Sequence, residues 1–288
     1  MLFLILNVIF ASSFMLFIKW AHVRGKEDII TIGAINYILA VLLTAPFFLT
    51  QASQLVTSEA MELGATMGAA YFIAYFFVIY AIRWVGATAS TVISVLSLLV
   101  PIAVAAWIWA EQPGALQTVG ILIALPALML IGGQKKESRA SEEKPWFAPI
   151  LLALFFVLCG LSRVAQDGFR HRCELDETVT FVFAAFAVAA IPSIVVLIVR
   201  RQRISKTECL FGLAMGLSNA LQTQFILESL QRFPGYIVFP VVSAGSVLFT
   251  TLIATKTLGE KLTAKSYVGI VLCVVALVLL GIESGVDN

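Results

Sequence analysis

Apolar residues in this chain run in long unbroken blocks. They show neither the two-residue alternation of a half-buried strand nor the single stripe of a soluble helix. Ten blocks stand out: 2–20, 29–49, 61–82, 86–110, 114–132, 147–166, 178–199, 209–231, 235–257 and 264–282. Each approaches or exceeds the about 20 residues an α-helix needs to cross the hydrocarbon core of a bilayer. The joints between them are short and carry loop punctuation, as in Gln112-Pro113-Gly114, Phe233-Pro234-Gly235 and Gly132-Gly133. The longest polar break, GGQKKESRASEEKPW from Gly132 to Trp146, separates five blocks from five. The pattern predicts an all-α membrane protein of ten transmembrane helices.

Composition agrees. Apolar residues make up 60% of the chain and charged residues 12%, against about 45–50% and 25% in soluble domains. A net charge of +2 gives no reason to invoke nucleic acid. The four cysteines, Cys159, Cys173, Cys209 and Cys273, form no CxxC pair, so neither a disulfide framework nor a zinc site is indicated. The first block lacks a basic leader and a small-residue cleavage site, and reads as a retained span. Lys and Arg set the orientation. The joints after spans 1, 3, 5, 7 and 9, together with Lys19, Lys256 and Lys265 at the span edges beside them, hold 15 of the 19. Those joints are therefore expected in the cytoplasm, with both termini on the other side of the cytoplasmic (inner or plasma) membrane.

One short text appears twice. RWVGATASTVISVLS from Arg83 and RFPGYIVFPVVSAGS from Arg232 share Arg, Gly, Val, Ser and Ser at matching steps, 149 residues apart. From Arg83 to Gly132, 16 of 50 positions recur at that offset without a gap. Among them Glu111 matches Glu260, and Gly120 matches Gly269. A repeat with an odd number of spans must enter the membrane from the opposite side the second time. The expected organisation is two inverted five-helix repeats, 1–134 and 147–288, joined by a polar cytoplasmic linker at 135–146. Inverted repeats are a recurrent device of secondary transporters.

The segment FPVVSAGSVLFTTLIATKTLGEKLTAKSYVGIVLCVVALVLLG, Phe239 to Gly281, resembles the end of the second repeat in EamA-like members of the drug/metabolite transporter (DMT) superfamily. It has a small-residue span, then Gly-Glu-Lys-Leu-Thr at 259–263, then a span opening at Gly269. The first repeat is a weaker copy, with Pro101, Ala110-Glu111 and Gly120. Two features depart from the family pattern: span 1 reads FASSFMLFIK where many members carry Trp-Gly, and Ala110 stands where the second copy has Gly259. The resemblance implies spans 1, 3, 4, 6, 8 and 9 around a central cavity. It says little about substrate, since members carry amino acids, drugs, sugars and other metabolites.

Polar groups at membrane depth are the site candidates. Span 8 is richest, with Asn219 and Gln222 three apart on one face beside Ser218 and Gln224. At offset 149 Asn219 and Gln222 correspond to the apolar Ala70 and Ile73 of the first copy. Interhelical hydrogen bonding is the plainer reading, and substrate contact is weighed ahead of it. Tyr71 and Tyr75, four apart beside Phe72 and Phe76, could line an aromatic wall or simply pack. Ser94 and Ser97, with Ser243 and Ser246, are read first as small residues that let spans 4 and 9 approach neighbours. Arg163 is the one charge set inside an apolar run. Either it pairs with Asp167 within its helix, or its guanidinium captures a carboxylate or phosphate. Asn7, Asn36 and Tyr37 are weaker single cases. Pro101, Pro126, Pro192 and Pro240 fall inside spans, where each removes a backbone donor.

No catalytic constellation is visible. His22 and His171 lie in joints, no phosphate-cradling glycine loop occurs, and none of the 17 acidic residues sits at the middle of a predicted span. The reading is a secondary transporter without cofactor. It moves a small amphipathic metabolite, amino-acid-like in character, by alternating access, as export or facilitated diffusion. The alternatives are a membrane scaffold or receptor, a proton-coupled exporter, and an enzyme acting on lipid-linked substrates. The partners expected are the small-molecule substrate and membrane lipid, not nucleic acid, with the chain a monomer or homodimer.

Overall fold

A computed structural model describes residues 1–24, 28–51, 56–84, 93–132, 146–201, 203–258 and 262–282. The side chains of 22–24, 51, 78–84, 132, 148 and 282 are excepted. The described residues form ten α-helices: α1 (Leu2–Arg24), α2 (Ile29–Gln51), α3 (Ser58–Trp84), α4 (Leu99–Ile108), α5 (Ala115–Gly132), α6 (Ala148–Arg172), α7 (Thr178–Arg200), α8 (Lys206–Leu230), α9 (Gly235–Thr257) and α10 (Ala264–Ile282). Eight are long and apolar enough to cross a membrane; the shorter apolar stretches are Ile93–Ile108, which contains α4 after a turn at 97–98, and Ala115–Ile131 in α5. The opening of the first repeated text at 85–92, the linker at 135–145 and Glu260 lie outside the described residues. Large apolar side chains such as Leu42, Phe47, Val199, Leu210 and Val271 are exposed on the outside of the helices, as a lipid-facing surface requires.

Helix edges follow local chemistry. Asp28 accepts from the Thr31 amide at 3.2 Å and opens α2. Thr57 accepts from the Ala60 amide at 3.3 Å and opens α3. Ser205 and Glu208 form a reciprocal capping box on α8. Ala110, just past α4, adopts a left-handed φ of 55°, and the Glu111 amide turns back to the Ala105 carbonyl at 3.0 Å. An L-residue with a Cβ pays roughly 1–2 kcal/mol in that region. The second copy has Gly259 at the matching sequence position, which lies outside the described residues. Helix α6 corrects the expected edge at 166: it continues to Arg172, so Gln166 and Asp167 are helical, and both are buried.

The chain divides into two compact units, and neither is a sequence half. Unit 1 comprises 1–73 and 165–231, and unit 2 comprises 74–164 and 232–288. Helices α3 and α6 therefore contribute one part to each.

Unit 1 is held by backbone contact. Gly64 and Gly68 of α3 lie against α7: a Cβ would come within 2.3 Å of the Phe181 carbonyl oxygen and 2.0 Å of that of Ala185. Gly212 and Gly216 of α8 lie likewise on α2, where a Cβ would meet the Ile32 carbonyl at 3.2 Å and that of Asn36 at 2.7 Å. These are small-xxx-small contacts, which let helices in an apolar medium gain van der Waals energy from close approach. They are also the same contact made twice. The accepting carbonyls are 149 residues apart, 32 to 181 and 36 to 185, whereas the glycines are 148 apart. The packing therefore corrects the sequence register: Asn219 corresponds to Tyr71 and Gln222 to Ala74, one residue on from Ala70 and Ile73.

Unit 2 repeats the theme with α5 against α10. Gly120 faces Leu280 and Gly269 faces Ile131, and both glycine and partner positions are 149 apart. As one helix advances from 120 to 131 the other retreats from 280 to 269. The two copies thus run antiparallel, in a reciprocal contact of the kind a two-fold axis generates.

Because its neighbour is backbone, Gly68→Ala is expected to lower stability by about 1–3 kcal/mol, the cost of overpacking. The check is a thermal or denaturant unfolding curve in detergent, with no more than half that effect for Val271→Ala at an exposed position.

Candidate functional site

Apolar surroundings make each buried side-chain amide conspicuous, and unit 1 collects several. Gln222 donates from Nε2 to Asn219 Oδ1 at 2.8 Å. Asn219 donates from Nδ2 to Asn36 Oδ1 at 3.2 Å. Asn7 donates from Nδ2 to the Gln222 carbonyl. One line of amides thus joins α1, α8 and α2. Asn7, Asn36 and Asn219 are each no more than 2% exposed. Helix geometry explains the convergence: Gly216 brings α8 onto the Asn36 backbone, and Asn219 lies three residues further along the same face.

The line is not saturated. Asn7 Oδ1, Asn36 Nδ2 and Thr223 Oγ1 are buried with no hydrogen-bond partner among the described residues. Each such group forfeits about 1–3 kcal/mol relative to a satisfied one. Beside it, Gln166 of α6 donates from Nε2 to Tyr71 Oη at 3.3 Å and to Met67 Sδ at 3.6 Å. Tyr37 donates from Oη to the Tyr71 carbonyl at 3.3 Å. Phe225 stacks between Phe3 and Phe10 at centroid distances of 6.0 and 5.7 Å, next to the Asn7 contact.

An ionic cluster closes one end of unit 1. Arg200 pairs with the Asp28 carboxylate. The Asp28 amide donates to Glu208 Oε1 at 2.8 Å, and the Ser205 amide donates to Glu208 Oε2 at 2.7 Å. It ties the joint after α1 to the joint between α7 and α8. The Lys and Arg count had placed these two joints on one side of the membrane.

Unit 2 holds Arg163. Its Nη1 donates to Ser97 Oγ at 2.5 Å and to the Cys159 carbonyl at 3.2 Å. The bond to the Cys159 carbonyl draws the guanidinium toward the start of α6. Ser97 Oγ in turn donates to the Ser94 carbonyl at 2.7 Å, and Ser246 Oγ repeats this bond to the Ser243 carbonyl at 3.2 Å.

Among the candidates, the structure joins Asn219 and Gln222 in one line and places Tyr71 in the same unit. Tyr75 falls in unit 2, edge-on to Phe76 at 6.3 Å. Ser94 and Ser243 contribute carbonyls to the two serine bonds. Sequence reasoning missed Gln166 and Thr223, and treated Asn36 as an isolated case. A glutamine six residues before Arg172 looked like the edge of a span, and only the longer α6 reveals it as buried. The capping box Ser205-x-x-Glu208 was readable but was not read.

The model of the EamA-like transporter family matches the chain twice, over residues 1–133 and 146–282. A solved chain described only as a crystal structure of protein superposes with a TM-score of 0.75 at 15% identity, covering 98% of this chain and 96% of its own. At that identity the likeness concerns the fold alone. No curated protein matches the chain.

If the amide line is a true coupling, an Asn36→Ala and Asn219→Ala double-mutant cycle should return about 0.6 kcal/mol, and no more than about 1.7. Unfolding midpoints in detergent provide the measurement. A coupling of zero would mean that the two amides do not bond.

Proposed function

The chain belongs to the EamA-like transporter family, and from that premise we propose that it is a secondary transporter moving a small amphipathic metabolite, amino-acid-like in character, by alternating access. It is a multi-pass membrane protein of a transporter family. The proposed membrane is the cytoplasmic one, with both termini on the non-cytoplasmic side, and the mode is export or facilitated diffusion. The halves 1–134 and 147–288 are proposed to be inverted five-helix repeats around the linker. The reciprocal α5–α10 contact supports this, because antiparallel copies are what inversion produces.

The observation that carries the reading is the unsaturated amide line in unit 1. A scaffold gains nothing from leaving Asn7 Oδ1, Asn36 Nδ2 and Thr223 Oγ1 unpaired in an apolar interior. A carrier gains a great deal, since a solute that pairs with them recovers the lost hydrogen bonds. They are sealed in this conformation, and binding requires the seam along α8 to part. Tyr71, held by Gln166 and facing the same part of unit 1, supplies an aromatic surface for the apolar portion of the solute.

One observation favours a second reading, proton-coupled exchange. Asp167 is fully buried within α6, and a titratable group inside a membrane helix is the usual requirement for a proton relay.

Transport into proteoliposomes tests both. The Asn219→Ala, Gln222→Ala pair should lower solute flux at least tenfold while the protein remains folded, and unchanged flux would remove the amide line from the site. Asp167→Asn should leave flux and its pH dependence as they are in the parent if movement is facilitated. Loss of flux driven by an imposed pH gradient, with exchange preserved, would establish the second reading instead.

A further inference from the structure

The amide line accounts for the neutral polar groups of a solute, but a charged side chain lies elsewhere. Arg163 stands nine residues before the end of α6, in a run of apolar residues. A charge there is costly unless it is paired. Resting on the transport reading above, we propose that Arg163 binds the carboxylate of the transported solute, with Ser97 as its positioning residue.

The guanidinium has five donors, and among the described residues only those on Nη1 are used. Nε and Nη2 have no hydrogen-bond partner among the described residues, and the Arg163 side chain is half-buried. Together they present one edge of the planar fork, the edge that matches the two oxygens of a carboxylate. The used edge is fixed from behind. Ser97 gives its own proton to the Ser94 carbonyl, which leaves its oxygen as an acceptor for Nη1. Ser97 sits at a loosened turn: the Leu98 amide reaches only to Val95, and the Val100 amide only to Ser97. Pro101 cannot donate to the Ser97 carbonyl, so the turn stays open there. Gly160 lets Val100 close on α6, since a Cβ would come within 2.7 Å of the Val100 side chain. Gly160 and Arg163 share a helix face, and that close approach is what brings Ser97 within reach.

A purely structural role does not explain the arrangement. The serine bond exists in both copies, Ser97 to Ser94 and Ser246 to Ser243. Yet the residue 149 before Arg163 is Phe14. The second copy of the bond is therefore kept without an arginine at the repeat-related position. The scaffold needs the serines, and the charge is an addition. A single guanidinium balances a single negative charge, which favours a carboxylate over a dianionic phosphate.

The test uses the full chain in proteoliposomes with 3-phenylpropionate and L-leucine, their amides, and inorganic phosphate as competitor. The parent should carry the two carboxylates at least tenfold faster than the amides. Arg163→Gln should abolish that preference by slowing the acids, and thermal stabilisation by 3-phenylpropionate should vanish with it. Arg163→Lys keeps the charge and loses the fork, so it should raise KM for the acids with little change in kcat. Ser97→Ala should raise KM in the same direction. Acids and amides carried equally by the parent, or acids carried with parental KM by folded Arg163→Lys and Arg163→Gln proteins, would overturn the assignment and leave the transport reading standing. Inhibition by phosphate stronger than by either carboxylate would also overturn it. A parent that moves none of the four solutes would overturn both.

Discussion

Helices in lipid cannot be pressed together by the hydrophobic effect, because the medium is as apolar as their side chains. What remains is contact at short range, and this protein obtains it by removing Cβ atoms. Gly64 and Gly68 on α7, Gly212 and Gly216 on α2, and the Gly120–Leu280 and Gly269–Ile131 pairs between α5 and α10 all place one helix directly on another. The rest of the architecture depends on that closeness. Asn219 reaches Asn36 only because Gly216 admits the Asn36 backbone, and Arg163 reaches Ser97 only because Gly160 admits Val100.

The same contacts exist in duplicate, but the chemistry they carry does not. Two carbonyls at 181 and 185 receive α3, and two at 32 and 36 receive α8. Past the glycines, α3 presents Tyr71 where α8 presents Asn219. The repeated scaffold thus offers one aromatic and one amide surface at equivalent places. Unit 2 behaves alike: both copies keep the serine bond, and only α6 adds a charge beside it. Symmetry is spent on packing, and its breaches mark the polar groups suited to a solute. The ionic cluster of Asp28, Arg200 and Glu208 is another breach. Its counterpart near Glu177 has a capping box with Glu174 and no arginine partner among the described residues.

Much of this was legible in the sequence, for a physical reason. Apolar runs of bilayer length leave helix as the natural conformation, since every backbone group must bond within its own segment. Hence α9 and α10 begin and end where the hydrophobic blocks do. The edge of α6 was misjudged because Gln166, Asp167, Arg170 and Arg172 read as a polar joint, although a helix buried among others can carry them. Asn219 and Gln222 stood out as amides in an apolar block, but their partner Asn36 did not, because pairing across 183 residues leaves no local trace. The glycine pairs of α3 and α8 escaped notice because their spacing differs by one from the offset that reveals the repeat downstream.

That single residue has a consequence of its own. Gly68 to Arg83 takes 15 steps, and Gly216 to Arg232 takes 16. Inside a helix one extra residue would swing everything beyond it by about 100° and throw the next face out of phase. Here α8 stops at Leu230 and the chain turns through Gln231, whose side chain anchors on the Cys173 carbonyl at 3.2 Å, whereas α3 stays helical through Trp84. The drift between the two copies has been absorbed at a corner, where length is cheap, and the rods themselves have kept their phase.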